Sequence, residues 1–320
     1  MQSCFHLFLC IATSLILCGC QAIEKISRFA YITNQGEDTV SVIDIRQAKV
    51  IQTIKVGKAP VGVAVSAKLQ RAFITNVDSQ DISVIDATSQ QVVDTIAVGG
   101  SPVGIAIAPN AKKLYVADWY SHRIIEIDSK DFKQQRSLTV KDAPAGLIVS
   151  PDNKTLYVAA RDSNDIAIID TAQLAITKRV KVGKHPFGLA LSHDGKKLFS
   201  VNVYDNTISI IDTQDWSQKT LATGDHPYCA AVSTDNQRLY VSDTRDDTVS
   251  VIDLASQTII TKIDVGMTPE GLVFDDSSQQ VLVASWGDNN VSIIDARSNR
   301  TLHTIKTGEK SRAFGQFILQ

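Results

Sequence analysis

Ala30-Tyr31-Ile32-Thr33-Asn34 returns along the chain as Ala72-Phe73-Ile74-Thr75-Asn76, Leu114-Tyr115-Val116-Ala117-Asp118 and Leu156-Tyr157-Val158-Ala159-Ala160. Three more copies follow: Leu198-Phe199-Ser200-Val201-Asn202, Leu239-Tyr240-Val241-Ser242-Asp243 and Val281-Leu282-Val283-Ala284-Ser285. Their second residues lie 42, 42, 42, 42, 41 and 42 positions apart. A second mark keeps step, since Asp44, Asp86, Asp128, Asp170, Asp212, Asp253 and Asp295 each close an apolar run such as Val40-Ser41-Val42-Ile43-Asp44. A third is Gly-x-x-Pro-x-Gly, at Gly57 to Gly62, Gly99 to Gly104, Gly183 to Gly188 and Gly266 to Gly271. A fixed period of this length means that each unit packs on its neighbours, so the chain can outgrow the usual single core.

Each unit reads as four short strands. In the second copy these are Val63–Ser66 after the Pro-Gly turn, Arg71–Thr75, the alternating Ile82–Asp86, and Val92–Val98. Turn residues such as Ser150-Pro151-Asp152-Asn153 and Ser192-His193-Asp194-Gly195 separate them. Four strands and their turns fill about 40 residues, the length of a propeller blade. No stretch sustains a 3.6-residue period, which excludes an α-solenoid. The fold expected is all-β: a seven-bladed propeller of four-stranded antiparallel blades. The last segment, Arg312 to Ile318, would supply the strand missing from the first blade and close the ring.

These repeats resemble the YVTN family of seven-bladed β-propellers, over about Phe29 to Gln320. The resemblance implies that the Pro-x-Gly strand is innermost. The loop entering it and the loop after the Tyr-Val-Thr-Asn strand then share one face, where side-chain identity varies. Entering loops place Ala59, Ser101, Ala143, His185, His226, Thr268 and Lys310 before the Pro position. Val61, Val103, Ala145, Phe187, Tyr228, Glu270 and Arg312 follow it, with Ser311 replacing the last Pro. The other loops add Trp119, Tyr120, Arg161, Tyr204, Arg245 and Trp286. Bulky, polar and titratable groups of blades three to seven thus converge on one channel mouth, a concave place for a ligand or protein partner.

The amino terminus reads separately. Phe5 to Leu17 is an apolar run too short to span a bilayer, ending in Leu17-Cys18-Gly19-Cys20. This resembles the lipobox of bacterial lipoproteins, although the preceding residues carry only His6 and no Lys or Arg. The expectation is a signal peptide over 1–19, lipid on Cys20, a tether over 20–28 and the propeller over 29–320. Cys4, Cys10 and Cys18 would leave with the signal, so Cys229 alone remains and no disulfide forms. Gln21 in place of Asp favours the outer membrane of a Gram-negative envelope. The tether spans at most about 30 Å, and the variable face would look away from the membrane.

Composition removes several classes. A net charge of −2 from 32 basic and 34 acidic residues excludes a strongly basic nucleic-acid protein, and 44% hydrophobic residues exclude a disordered acidic chain. Neither a Gly-x-Ser-x-Gly elbow, a His-Glu-x-x-His pair, a phosphate-binding Gly loop nor a haem-attaching Cys-x-x-Cys-His occurs. The repeated Asp residues read as turn acceptors. The acidic loops around Asp205, Asp243, Asp246 and Asp247 lack the calcium-loop spacing.

The expected function is therefore a non-enzymatic, monomeric platform in the cell envelope, binding a protein or small ligand on its variable face. No cofactor is expected. Haem d1-like or quinone-linked propellers are the alternative, with His185 and His226 as haem or metal ligands and Cys229 as a possible thiol donor beside His226. A single-stranded nucleic-acid platform of Arg161, Arg245, Lys310 and Arg312 among the aromatics is another. A lactonase-like hydrolase ranks last, because no matching Glu, Arg and His set is present.

Overall fold

The computed structural model describes residues 28–319, so the expected signal peptide, the expected lipid site Cys20 and most of the expected tether lie outside the described residues. Seven blades of four antiparallel strands follow one another around a ring, and the second alone carries a fifth, parallel strand on its inner edge. The four antiparallel strands of blade 2 run outward as Pro60–Ser66, Arg71–Asn76, Asp81–Asp86 and, at the rim, Gln91–Ala97. Blades 3 to 7 repeat this order from Pro102, Pro144, Pro186, Pro227 and Pro269. Burial explains the apolar runs. The two middle strands are covered on both sides by adjacent blades and are almost wholly buried, whereas the rim strands alternate with solvent.

The inner strand begins three residues earlier than the sequence suggests, at the proline. Pro60 pairs with Asn76 and Val63 with Ile74, leaving one extra residue on the inner strand, and the same shift recurs in blades 3 to 7. Such a bulge bends the strand and brings adjacent inner strands together. A Cβ on Gly104 would lie 2.1 Å from the Ala145 carbonyl oxygen, and one on Gly271 2.2 Å from those of Arg312 and Ala313. The second glycine of the motif is therefore required by close approach.

Neighbouring blades are latched by the last residue of the second strand. Asn34 donates to Thr39 and Ser41 on its own third strand and accepts from Gly308 N–H of the preceding blade at 3.1 Å. Asp118 accepts the Ser101 amide at 2.9 Å and Asp243 the Gly224 amide at 3.0 Å. The first glycine of the motif lies against this residue: Cβ atoms on Gly57 and Gly183 would sit 2.6 and 2.7 Å from Asn76 and Asn202. The Asp at each third-strand end does what a turn acceptor does. Asp44, Asp86 and Asp295 each take two backbone amides of the following turn.

Ring closure occurs as expected but is divided between two blades. Ile318 and Leu319 pair with Ala30 and Phe29, Tyr31 N–H donates to the Phe317 carbonyl, and Ser311 bridges to Asn34 in place of the lost proline. Between them Phe314–Gln316 runs parallel to Gly62–Ala64 of blade 2. The segment thus pins the first two blades at once, with Phe317 fully buried. Phe29 and Leu319, near the two ends of the described residues, lie on the face opposite the variable loops, since Phe29 pairs with Asp44 and Leu319 there while Asn34 meets Thr39 on the loop side.

Deleting residues 312–320 removes the burial of Phe314, Phe317, Ile318 and Leu319. At roughly 2 kcal/mol each this rivals the whole stability of a typical domain. The truncated chain should fail to fold, and a soluble, equally heat-stable product would refute this account. Phe317→Ala, costing about 3–5 kcal/mol, should lower the melting temperature by about 10 °C.

Candidate functional site

The variable loops are held rigidly by their own backbones. His185 and His226 adopt φ of 53°, and their amides donate to the side chains of Asn164 and Asn206 at 2.9 and 3.0 Å. Ala59, Thr268 and Lys310 donate likewise to Asp38, Asp247 and Asn289. The residue before the proline is therefore left-handed for architectural reasons, and its side chain is free to differ from blade to blade.

On this frame the structure brings together much of what the sequence selected. Arg161 lies over Trp119 at 5.4 Å and over Tyr204 at 5.9 Å. His185 stacks on Tyr204 at 4.0 Å, and His226 meets the same ring at 5.6 Å. Trp119 continues to Phe187 at 5.9 Å, and Phe187 to Tyr228 at 4.2 Å and Phe314 at 4.8 Å. Tyr120 and Tyr204 remain 75% and 54% exposed. An unbroken array of rings and one guanidinium thus crosses blades 3 to 6, each cation–π contact worth about 0.5–1 kcal/mol at such a surface.

The floor of the array closes the central axis. Val61, Ala145, Phe187 and Phe314 share one cluster, and side chains from opposite sides of a ring meet only at its centre. Beside them Arg312 Nε bonds Glu270 Oε2 at 2.5 Å, Arg312 Nη2 donates to Tyr228 Oη at 3.0 Å, and Nη1 to Gln35 Oε1 at 3.2 Å. Burial raises the Glu270 pKa against the pull of Arg312. Burial also raises that of Tyr228, and the neighbouring Glu270 charge adds to it. Burial opposes the Arg312 charge, yet Tyr228 and Glu270 outweigh it and hold the guanidinium ionised.

Other selected residues stand apart. Trp286 pairs with Lys310 at 5.5 Å, and Arg245 lies beside Asp225 with its amide on the Asp225 carbonyl. The two imidazoles do not converge as ligands. His226 Nδ1 bonds Asp225 at 2.8 Å, while His185 lies flat on Tyr204 with its Nδ1 buried and unpartnered. Burial and then Arg161 lower the His185 pKa, so this ring is neutral at physiological pH. Cys229 is turned to an axial cavity, not to His226, and burial pushes its thiol pKa up. No cluster of three metal-ligating side chains occurs among the described residues. The acidic loops hold backbone instead: Asp205 takes the Lys184 amide, Asp246 that of Asp225 and Asp247 that of Thr268.

Sequence reasoning missed the axial cavity, of about 630 Å³, beneath the aromatic floor. Its walls are inner-strand residues past the bulge, including Val65, Ile107, Leu147, Leu189, Leu191 and Cys229. It opens on the face opposite the variable loops, at Lys68, His193, Asp276 and Gln316. The signal was present as aliphatic residues one and three positions after the Pro-x-Gly. The bulky plug residues that make this end blind are legible only from packing.

The axial ion pair gives a test. Arg312→Met leaves Glu270 buried without its partner, costing about 3–5 kcal/mol, whereas Glu270→Leu with Arg312→Met should cost far less. In the single variant Glu270 binds its proton more tightly folded than unfolded, so stability should fall as pH rises from about 4 toward neutrality. Equal melting temperatures for the single and double variants would contradict this.

Residues 64–201 match the family model described as YNCE-like beta-propeller. A search of curated proteins gives no significant match. Among solved structures, a hydrazine synthase from Kuenenia stuttgartiensis is 23% identical, with 83% of this chain and 91% of that chain covered and a TM-score of 0.75. A functionally unknown protein from Desulfotomaculum acetoxidans is 15% identical, with 90% and 99% covered and a TM-score of 0.77. The dihydro-heme d1 dehydrogenase NirN in complex with DHE is 14% identical, with 87% and 63% covered and a TM-score of 0.67. The chain is a seven-bladed β-propeller, and its second to fifth blades carry the likeness to the YNCE-like beta-propellers.

Proposed function

We propose that the protein is a lipid-anchored, YVTN-type envelope propeller that binds a protein or peptide partner on its loop face without catalysing a reaction. The observation that carries this reading is the array Trp119–Arg161–Tyr204–His185–His226, with Tyr120 exposed beside Trp119 in the same loop. Trp, Tyr and Arg are the residue types that dominate binding hot spots, and rigid loops lose little entropy on binding. The surroundings specify the partner's charge. The connecting loops of this face carry eleven acidic residues against seven basic ones, Arg312 included. A basic or neutral peptide suits such a face better than a polyphosphate chain, whose affinity depends on Lys and Arg neutralising its charges.

The solved structure of NirN in complex with DHE keeps a cofactor-associated propeller as the second reading. Its support here is weaker, because His185 and His226 are engaged with Tyr204 and Asp225. The anchor belongs to the same proposal: lipid on Cys20 would hold the face opposite the variable loops toward the outer membrane and turn the array outward, the protein acting as a monomer.

Selection of peptides from a random library should enrich Lys- and Arg-bearing sequences. A Tyr120→Ala, Tyr204→Ala variant should bind them at least tenfold more weakly with an unchanged melting temperature. Salt-sensitive binding of single-stranded oligonucleotides in their place would overturn the peptide reading. A chromophore or stoichiometric metal lost in His185→Ala, His226→Ala would establish the cofactor reading. Cys20→Ser should move the protein from the membrane to the soluble fraction, and unchanged partitioning would refute the anchor.

A further inference from the structure

We propose that the blind axial cavity is a second binding site, on the face opposite the aromatic array, for an acyl chain bearing a carboxylate head. Its volume of about 630 Å³ falls in the range of small-molecule sites, roughly 300–1,000 Å³. Val65, Ile107, Leu147, Leu189 and Leu191 line it and are only partly buried, although they belong to inner strands at the centre of the molecule. Aliphatic groups left facing water in an enclosed space gain about 25 cal/mol for each Å² that a ligand covers. The Phe187, Tyr228 and Phe314 plug seals the far end, so a ligand enters from one side and is held lengthwise.

The charged side chains of the lining lie only at the mouth. Lys68 Nζ is held at the mouth by the Pro109 carbonyl at 3.0 Å with donors to spare, and exposed His193 lies on the same rim. Asp276, the rim's acidic member, is engaged by Thr234. An apolar tunnel with a cation at its entrance matches a fatty acid. The mouth also lies where the tether arrives: Ile318 lines the cavity and pairs with Ala30, and Arg28 bonds Asp275 next to Asp276. The acyl groups of a lipid on Cys20 would be ester- or amide-linked and carry no carboxylate, so the occupant proposed is free fatty acid.

The test uses full-length Cys20→Ser protein, a fluorescent polyene fatty acid and displacement by palmitate. Saturable one-to-one binding is expected. It should weaken at least tenfold in Ala230→Phe, which fills the lumen, and about threefold in Lys68→Ala, with palmityl alcohol unaffected by the second change. Tyr204→Ala should leave it unchanged, which separates this site from the loop face. Should Ala230→Phe fail to fold, palmitate should still slow maleimide labelling of Cys229 in the otherwise unaltered chain. Lipidated protein should bind the fatty acid as the Cys20→Ser protein does. No saturable binding, binding indifferent to Ala230→Phe, or labelling of Cys229 indifferent to palmitate would each overturn the proposal.

Discussion

The structure depends on the contact between the last residue of the second strand and a glycine of the loop from the blade before, made at six of the seven interfaces and missing only at Ala160. Asn34 shows the constraint in full: its amide group ties its own third strand through Thr39 and Ser41, and its carbonyl holds Gly308 of the blade before. A Cβ on Gly308 would lie 2.6 Å from that side chain, so glycine and asparagine specify each other. The same pairing closes the ring across 274 residues, and Asp118 and Asp243 make the corresponding bonds between consecutive blades. Where the link satisfies polar groups that the blade interface would bury, its loss leaves a desolvated donor or acceptor. Repetition of the glycine and the small polar residue thus follows from similar interfaces around the ring.

That requirement fixes what can vary. The inner, second and third strands are pinned by burial and by the latch, and the turn Asp residues by the amides they cap. Side chains before the proline are not pinned, because architecture uses only their backbones, which is why Ala143, His185 and Lys310 can occupy equivalent places. The rigid frame and the variable array are therefore parts of one arrangement. His185 and Tyr204 come from the loops that enter and cross blade 5, and Trp119 and Arg161 from blades 3 and 4. Register alone puts these residues within reach of one another.

The sequence was sufficient for the fold because its period, strand lengths and closing segment are set by local chemistry repeated seven times. The loops entering the inner strands and those after the second strands share one face, as the repeat implies. Which side chains touch was not legible, since that depends on rotamers and on neighbours one or two blades away. His185 and His226 look like a ligand pair in the sequence, yet Asp225 and Tyr204 engage them. The parallel run of Phe314–Gln316 beside Gly62–Ala64 was likewise hidden, because Gly315, at φ 121°, lets the segment leave blade 1 and return to it. Phe187, expected at the channel mouth, and Phe314, expected in the closing strand, meet on the axis only because the ring closes there.

The plug on the axis has a consequence for both ends of the molecule. An open channel would join the two faces, and a ligand at one would alter water and charge at the other. Here the aromatic cluster and the Arg312–Glu270 pair separate them, the first by excluded volume and the second by a desolvated ion pair that resists disruption. Tyr228 belongs to both, stacking on Phe187 and accepting from Arg312. Any coupling between the loop face and the cavity must therefore run through Tyr228 and its neighbours in blades 5 and 6. Their backbones are fixed by the bulge and the latch, so the two ends of the rigid ring are insulated from each other.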